Sequence, residues 1–243
     1  MSISSAEEII PIVVKYFKPN SVIDVGCGIG TWLSVWEKQG LTDFQGVDGT
    51  YVNKDKLLIN KAKFIEANLE KGFSTLRKFD LVTCLEVAEH ISVENADLFI
   101  NSLCKLGDII LFSAAIPGQE GTNHINEQYP DYWAFLFQKN SFVPVDCLRK
   151  GIWSNKKVSV WYRQNIIFYV NKKYLDNSNY LKLEAEKNET NFLNLVHPDY
   201  FDYKNKKINH YEKVLKSPKS LLKFFVKSLY PKIKEKFNKD KTH

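Results

Sequence analysis

The segment of residues 21–36 carries the pattern that most constrains the fold of this chain. An apolar, β-branched run containing Val22, Ile23 and Val25 leads into glycines spaced G-x-G-x-G, and an apolar helix pattern begins at Thr31. Glycines at such a turn let a ligand approach the backbone at distances that a Cβ atom would prevent. The segment therefore predicts a strand, a ligand-binding turn and a helix, the opening unit of an α/β fold.

Two acidic residues close the first two predicted strands. Asp24 stands two residues before the first glycine, where a diphosphate site would place no negative charge, and the spacing is not the G-x-G-x-x-G of nicotinamide and flavin proteins. A carboxylate beside a glycine turn suits a cationic ligand. Asp48 follows the strand over 43–47, about where such folds place a carboxylate on ribose hydroxyls. The alternative is an ordinary strand–turn–helix unit that happens to carry glycines.

These residues resemble the class I S-adenosylmethionine (SAM) methyltransferases. The resemblance implies SAM as the cofactor, with its amino acid part held by the first acid and the glycines and its ribose held by the second acid. It also implies that Glu86 and His90 border the cofactor. The expected cofactor-binding residues are Asp24, Gly26, Cys27, Gly28, Gly30, Trp32, Asp48, Gly49, Asn68, Leu69, Glu86 and His90.

Strand and helix patterns alternate along the chain to about residue 140. Predicted helices cover about 5–18 and 93–105, and the predicted strands are 21–25, 43–47, 64–67, 79–85, 108–113, 142–145 and 165–170. Alternation indicates a doubly wound parallel sheet, and the last two strands, with no good helix between them, indicate an antiparallel pair at its edge. The prediction is a Rossmann-like class I methyltransferase fold with a mostly parallel seven-stranded sheet and an antiparallel edge strand.

Ligands of a parallel sheet bind beyond the carboxyl ends of its strands, which orders the polar residues of this chain. Asn68 and Leu69 follow the third strand, where an amide can meet an adenine edge. Glu86, Glu89 and His90 follow the fourth strand, and a polar loop over 115–128 follows the fifth. We expect all of these at the ligand face.

Methyl transfer to a hydroxyl requires a group that takes up its proton, and histidine is the natural base near neutral pH. His124 lies in the polar loop with Glu127 nearby, so the predicted catalytic residues are His124, Glu127 and His90. His124 as a simple helix cap is the alternative. A divalent ion on His124, Glu127 and Glu86 is a further alternative, but that spacing is not diagnostic and no metal is predicted.

Arginine is scarce in this chain, which has three arginines and 31 lysines. Two of them flank the predicted edge strands, and a guanidinium matches a diphosphate in a bidentate manner, although structural ion pairs are the alternative. The predicted substrate-binding residues are Asn123, Gln128, Arg149, Trp153, Tyr162 and Arg163.

A wider resemblance rests on the segments 121–128, 132–133 and 161–165. Together they are similar to a subgroup of bacterial methyltransferases found among genes for capsule and other surface polysaccharides, some of which methylate hydroxyls of nucleotide-activated sugars, including heptoses. The similarity covers about residues 20–170, and Asn68 departs from the Asp of many class I enzymes. It implies a sugar O-methyltransferase. A phosphate or phosphoramidate oxygen as acceptor and a non-catalytic scaffold remain alternatives.

Charge is distributed unevenly, which indicates a separate C-terminal region. Residues 204–243 carry 13 lysines and three acidic residues, a net charge of +10, so the rest of the chain carries −4 of the total +6. This asymmetry argues against a nucleic-acid groove through the fold. The predicted domains are a methyltransferase domain over 1–172 and an extension over 173–243.

The basic extension contains an amphipathic helix pattern over 219–237. The pattern predicts either docking on the body or on a partner subunit, which leaves a homodimer open, or contact with an anionic membrane surface. Neither a signal peptide nor a membrane-spanning segment is predicted, and the four cysteines fit small buried side chains in a reducing compartment. The expected location is the cytoplasm, including the inner face of its membrane.

Overall fold

The computed structural model describes residues 3–187, 193–219 and 221–222. The chain divides into two compact units, residues 1–197 and residues 198–243. The first unit therefore extends past the predicted domain boundary at residue 172. The second unit contains the helix Pro198–Lys216, and most of the basic helix predicted over 219–237 lies outside the described residues.

A seven-stranded sheet forms the centre of the first unit. The strands are β1 (Ser21–Val25), β2 (Asp43–Asp48), β3 (Phe64–Glu66), β4 (Leu81–Leu85), β5 (Ile109–Ser113), β6 (Phe142–Val145) and β7 (Ile167–Asn171). Their order in the sheet is β3-β2-β1-β4-β5-β7-β6. The five strands from β1 to β5 are parallel, and β7 runs antiparallel between β5 and β6. The predicted fold class is confirmed, and the antiparallel strand lies one position inside the edge.

Helices cover both faces of this sheet, as its two hydrophobic clusters require. The α-helices of the first unit are α1 (Ile3–Phe17), α2 (Thr31–Lys38), α3 (Ala96–Leu106), α4 (Pro130–Lys139), α5 (Arg149–Ile152), α6 (Val160–Asn165), α7 (Lys172–Leu175) and α8 (Asn179–Glu186), and the helix of the second unit is α9 (Pro198–Lys216). Short 3₁₀ turns follow β2, β3 and β4. None of the described helices combines the length and hydropathy needed to cross a bilayer.

Burial explains why the central strands are continuous apolar runs. Every residue of β1, β4 and β5 is buried, because each strand packs against helices on both faces. One cluster joins α1 and α2 to one face of the sheet, and a second joins α3 and α4 to the other. Two short helices, α5 and α6, occupy the segment between β6 and β7, where the sequence predicted none.

Parallel register places the functional ends of the strands side by side. Asp24 of β1 pairs with Gly46 of β2 and with Thr83 of β4. Asp48 ends β2, and Glu66 ends β3 at the same level. The carboxyl ends of β1, β2 and β4 therefore meet at one edge of the sheet, as predicted for a ligand site.

Candidate active site

A cavity of about 410 Å³ opens at the carboxyl ends of the parallel strands. The residues that line it are Gly26, Gly28, Asp48, Gly49, Thr50, Tyr51, Ala67, Asn68, Leu69, Glu70, Glu86, Val87, His90 and Ile91. Eight of the twelve predicted cofactor-binding residues are among them. Side chains that are far apart in the sequence thus come together beyond the carboxyl ends of the parallel strands.

Asp24 is a buried acid with an unpaired oxygen. Its Oδ1 accepts a 2.6 Å hydrogen bond from the hydroxyl of Thr83, and its Oδ2 has no hydrogen-bond partner among the described residues. Burial raises the pKa of the Asp24 carboxyl to about 7. A buried carboxylate oxygen without a donor is costly, so the site favours a ligand that brings positive charge or an N–H group.

Asp48 is buried and fixed by the backbone of the glycine turn. Its Oδ2 accepts a 2.6 Å hydrogen bond from the N–H of Gly28, and its Oδ1 accepts one of 2.7 Å from the N–H of Gly49. The hydroxyl of Tyr51 also donates to Oδ1. The carboxylate is therefore oriented before any ligand arrives, and a neighbouring hydroxyl already occupies one of its acceptor positions.

The glycine turn cannot carry larger residues at its first position. Gly26 has a φ of +77°, and a Cβ atom built on it would lie 2.2 Å from a methyl carbon of Val87. Its N–H donates a 2.8 Å hydrogen bond to the carbonyl of Val47, which closes the turn against β2. Glycine is thus required by backbone conformation and by close packing at once.

The far side of the cavity mixes an amide with apolar side chains. Asn68 accepts a 3.0 Å hydrogen bond from the N–H of Glu70 through its Oδ1, which fixes the start of the 3₁₀ turn Leu69–Lys71. Leu69 and Ile91 are buried beside it. An amide edge with an apolar floor is the environment expected for an adenine ring.

Glu86 links the cavity to β5 and α6. Its φ of +56° is unusual for a residue with a side chain, and its N–H donates to the carbonyl of Ser113 at 2.9 Å. The carboxylate accepts hydrogen bonds from Gln119 at 2.6 Å and from Asn165 at 3.3 Å. Burial raises the pKa of Glu86.

Two histidines and two further acids meet beside the cavity. His124 lies 2.9 Å from Glu127 through its Nδ1 and 3.9 Å from Glu89 through its Nε2. The rings of His90 and His124 meet edge to face with centroids 4.9 Å apart. Burial, and then the nearby carboxylate of Glu86, raise the pKa of Glu89. The three predicted catalytic residues, His124, Glu127 and His90, are therefore close together.

Four predicted cofactor-binding residues do not line the cavity: Asp24, described above, and Cys27, Gly30 and Trp32. Cys27 is buried, and burial raises the pKa of its thiol. Trp32 is buried and packs edge to face on Tyr162, a predicted substrate-binding residue, with ring centroids 5.3 Å apart. Gly30 begins α2 and packs against Ile59. The buried side chains of Cys27 and Trp32 therefore support the glycine turn without lining the cavity.

The two arginines predicted to grip a diphosphate are 2% and 4% exposed and bind backbone carbonyls. Arg149 pairs with Asp146 and donates to the carbonyls of Gln164 and Leu193 at 3.1 and 2.8 Å. Arg163 donates to the carbonyls of Val158 and Trp153, both at 3.0 Å. Their donors thus face the interior and join the segments around α5 and α6. Arg149 therefore matches the alternative expectation, a structural ion pair.

The remaining predicted substrate residues divide between the loop and this interior cluster. Asn123 has a φ of +59° and offers its carbonyl to Nδ1 of His90 at 3.1 Å. Gln128 donates to Asn126 at 3.0 Å within the same loop. Trp153, by contrast, packs on His197 with ring centroids 4.3 Å apart.

Several residues that build the site were not predicted. Thr83 and Asn165 lie in predicted strands; the register of β1 and β4 shows that Thr83 meets Asp24, and the position of α6 shows that Asn165 meets Glu86. Gln119 was one of many polar residues in its loop. Glu89 was placed at the ligand face but given no role, although its position beside His90 was a usable signal for a shared site.

These residues fit a bound SAM molecule. The unpaired oxygen of Asp24 suits its cationic amino acid part, Asp48 suits vicinal ribose hydroxyls, and Asn68 with Leu69 suits adenine. When bound, SAM supplies a methyl group on a positively charged sulfur. The chain supplies the negative charge and the oriented acceptors that such a molecule needs.

Comparisons with solved structures show the same fold. A sugar N-methyltransferase, KedS8 of a Streptoalloteichus species, matches with a TM-score of 0.55 and 13% identity over 69% of this chain and 87% of that one. DesVI of Streptomyces venezuelae matches with a TM-score of 0.51 and 12% identity over 70% and 91%. An O-methyltransferase family protein of Burkholderia thailandensis matches with a TM-score of 0.50 and 16% identity over 68% and 56%, so the matched part is little more than half of that protein.

The sequence itself matches a family of known domains. No curated protein matches the chain. The methyltransferase domain family matches residues 6–146, which is more than half of the 243 residues and contains β1 to β6 with the whole cavity. The chain therefore belongs to the methyltransferase domain family and is a SAM-dependent methyltransferase.

Proposed function

We propose that the protein methylates a hydroxyl group of a nucleotide-activated sugar, with heptoses among the candidates, in the biosynthesis of a capsular or other surface polysaccharide. The sugar class rests on the similarity of residues 121–128, 132–133 and 161–165 to the polysaccharide-associated subgroup. KedS8, a sugar N-methyltransferase, has the same fold, which is compatible with a sugar acceptor.

One observation carries the choice of a hydroxyl acceptor. His124 is held through Nδ1 by Glu127 at 2.9 Å, beside a cavity that the methyl donor fills. A carboxylate that accepts the Nδ1 hydrogen leaves Nε2 as a proton acceptor, which is the arrangement that removes a proton from an alcohol. An acceptor that is already ionised needs no such group.

The loop that carries His124 is held in place by backbone hydrogen bonds. The β5–α4 loop, residues 114–129, contacts the 3₁₀ turn after β4, and the N–H groups of Ile125 and Asn126 both donate to the carbonyl of Glu89 at 3.0 Å. These two hydrogen bonds fix the loop to the 3₁₀ turn Ala88–His90. His124 and Asn123 are therefore placed by backbone contacts before an acceptor binds.

A screen of nucleotide sugars with methyl-labelled SAM, read by product mass, tests the proposal. We expect a product heavier by one methyl group, and we expect His124→Ala to lower turnover by about 10²- to 10⁴-fold while SAM affinity is kept. His210→Ala removes an exposed histidine of α9 and is the matched control. Full turnover in His124→Ala would favour a phosphate or phosphoramidate oxygen as the acceptor.

A further inference from the structure

Three potential metal ligands meet at the rim of the cofactor cavity. One carboxylate oxygen of Glu89 and one ring nitrogen each of His90 and His124 all lie within 4.8 Å of one another. Two atoms that bind one ion at about 2.1 Å are at most about 4.2 Å apart, so small side-chain rotations bring this set to binding distance. Glu89 and His90 are adjacent in the turn Ala88–His90. The third residue, His124, comes from the β5–α4 loop.

Hydrogen bonds fix which nitrogen of each histidine faces the others. Nδ1 of His124 lies 2.9 Å from a carboxylate oxygen of Glu127, and Nδ1 of His90 lies 3.1 Å from the carbonyl of Asn123. Each partner is an acceptor, so each Nδ1 carries the hydrogen and each Nε2 presents a lone pair. This carboxylate or carbonyl contact behind the ring is the usual outer contact of a metal-binding histidine.

Glu89 is the observation that points to a ligand. Its side chain is fully buried, and among the described residues neither carboxylate oxygen has a partner with good hydrogen-bond geometry, although the backbone N–H groups of Glu89 and Ala115 lie near enough to oppose the rise in its pKa. The Nε2 atom of His124 lies 3.9 Å from one of these oxygens. A buried carboxylate facing imidazole lone pairs is unfavourable, and either a proton or a metal ion between them relieves it.

We propose that Glu89, His90 and His124 bind one divalent first-row transition-metal ion. Two imidazoles and one carboxylate suit manganese, iron, cobalt, nickel or zinc better than magnesium or calcium, which prefer oxygen ligands throughout. Three protein ligands leave coordination positions open, and His90 lies on the wall of the cofactor cavity. The proposed ion would thus lie beside the cavity assigned to the methyl donor.

The role of this ion in the reaction rests on the proposed methylation of a hydroxyl. A divalent cation lowers the pKa of an oxygen that it binds, so the acceptor can lose its proton to water near neutral pH. The acceptor oxygen then gains the methyl group, and the electron pair of the broken carbon–sulfur bond stays on sulfur. With the ion bound at Nε2, His124 acts as a ligand in place of the direct proton acceptor proposed above, and Glu127 is its positioning residue.

Cobalt binding to the full chain tests the site without any acceptor. Protein treated with a chelator is titrated with Co²⁺ and followed by its visible absorption and by calorimetry. We expect one equivalent per chain and affinity lower by more than about 100-fold in Glu89→Gln and in His124→Ala. Glu94→Gln and His210→Ala, which change exposed side chains elsewhere, should bind cobalt as the original protein does.

Two results would overturn the site. One is the absence of saturable cobalt binding, and the other is binding that neither Glu89→Gln nor His124→Ala weakens. A loss of binding is attributed to the ligand only if circular dichroism shows that the variant is folded; His90→Ala, at an exposed residue, provides a second test. Stoichiometric cobalt binding without transfer to any nucleotide sugar would leave the metal site standing and contradict the proposed acceptor. Methyl transfer that survives the chelator, in a protein that binds no cobalt, would contradict the metal site and leave the proposed acceptor standing.

Discussion

Thr83 of β4 donates a 2.6 Å hydrogen bond to Oδ1 of Asp24 on the neighbouring strand. This contact satisfies one oxygen of a buried carboxyl and leaves the other without a hydrogen-bond partner among the described residues. Because burial raises the pKa of Asp24 to about 7, the carboxyl of the ligand-free protein is protonated below neutral pH. Cofactor binding and ionisation at this position are therefore linked.

We expect the pH dependence of stability to report this linkage. The folded pKa lies above the ordinary value of 3.8, so the contribution of Asp24 to stability is complete below about pH 4 and is lost as pH rises through about 7. Thermal unfolding of ligand-free protein from pH 4.5 to 8 should show a shallower decline in Asp24→Asn. Asp176→Asn, at an exposed acid, is the control, and equal slopes in all three proteins would contradict the assignment.

We expect Tyr51 to compete with the cofactor for Asp48. Its hydroxyl donates to Oδ1 of Asp48, although the residue is 81% exposed, so ribose binding requires this contact to open. Tyr51→Phe removes a hydrogen bond to a charged group, about 1.5 kcal/mol, and should tighten binding of S-adenosylhomocysteine by about tenfold in calorimetry. Tyr174→Phe is the control. Weaker binding in Tyr51→Phe would show that Tyr51 holds the cofactor.

Arg149 should act on stability and not on acceptor binding. It is buried with three acceptors, so Arg149→Met leaves Asp146 and two carbonyls without their donor and should cost about 3–5 kcal/mol in denaturant unfolding. Arg77→Met removes an exposed pair with Asp43 and should cost less than about 1 kcal/mol. Unchanged stability in Arg149→Met with a raised KM for the acceptor would restore the predicted diphosphate role.

Glu127 should affect turnover more than cofactor binding. Its carboxylate accepts from the N–H groups of Gly118 and Glu120 at 2.7 and 2.8 Å and holds His124. Glu127→Ala frees the ring and should lower kcat by about 10²-fold or more, with the affinity for S-adenosylhomocysteine unchanged. Glu94→Ala serves as the exposed control. A fall in affinity equal to the fall in kcat would place Glu127 at the cofactor.

Local patterns were sufficient to predict the sheet and the cofactor face. Seven apolar runs mark the seven strands, and the acids at the ends of β1 and β2 mark the edge of the sheet at which the cavity opens, because parallel strands expose their carboxyl ends together. The short helices α5 and α6 escaped prediction since four to six residues carry too little periodicity to be recognised.

Side-chain partners between distant segments could not be predicted in the same way. Scarcity of arginine indicated a special role for Arg149 and Arg163. The burial of their side chains, however, depends on how α5 and α6 pack in the folded protein. The pairing of Asn165 with Glu86 depends on α6 meeting the end of β4. Such contacts are tertiary, and no spacing along the chain encodes them.

The most direct test of the cofactor site is calorimetric titration of the full chain with S-adenosylhomocysteine. We expect saturable binding of one molecule per chain, weakened by about 10- to 100-fold in Asp48→Asn because a charged acceptor of ribose hydroxyls is lost. We expect Asp176→Asn to bind as the original protein does. Absence of binding by the original protein, or equal affinity in Asp48→Asn, would contradict a cofactor held between the ends of β1 and β2.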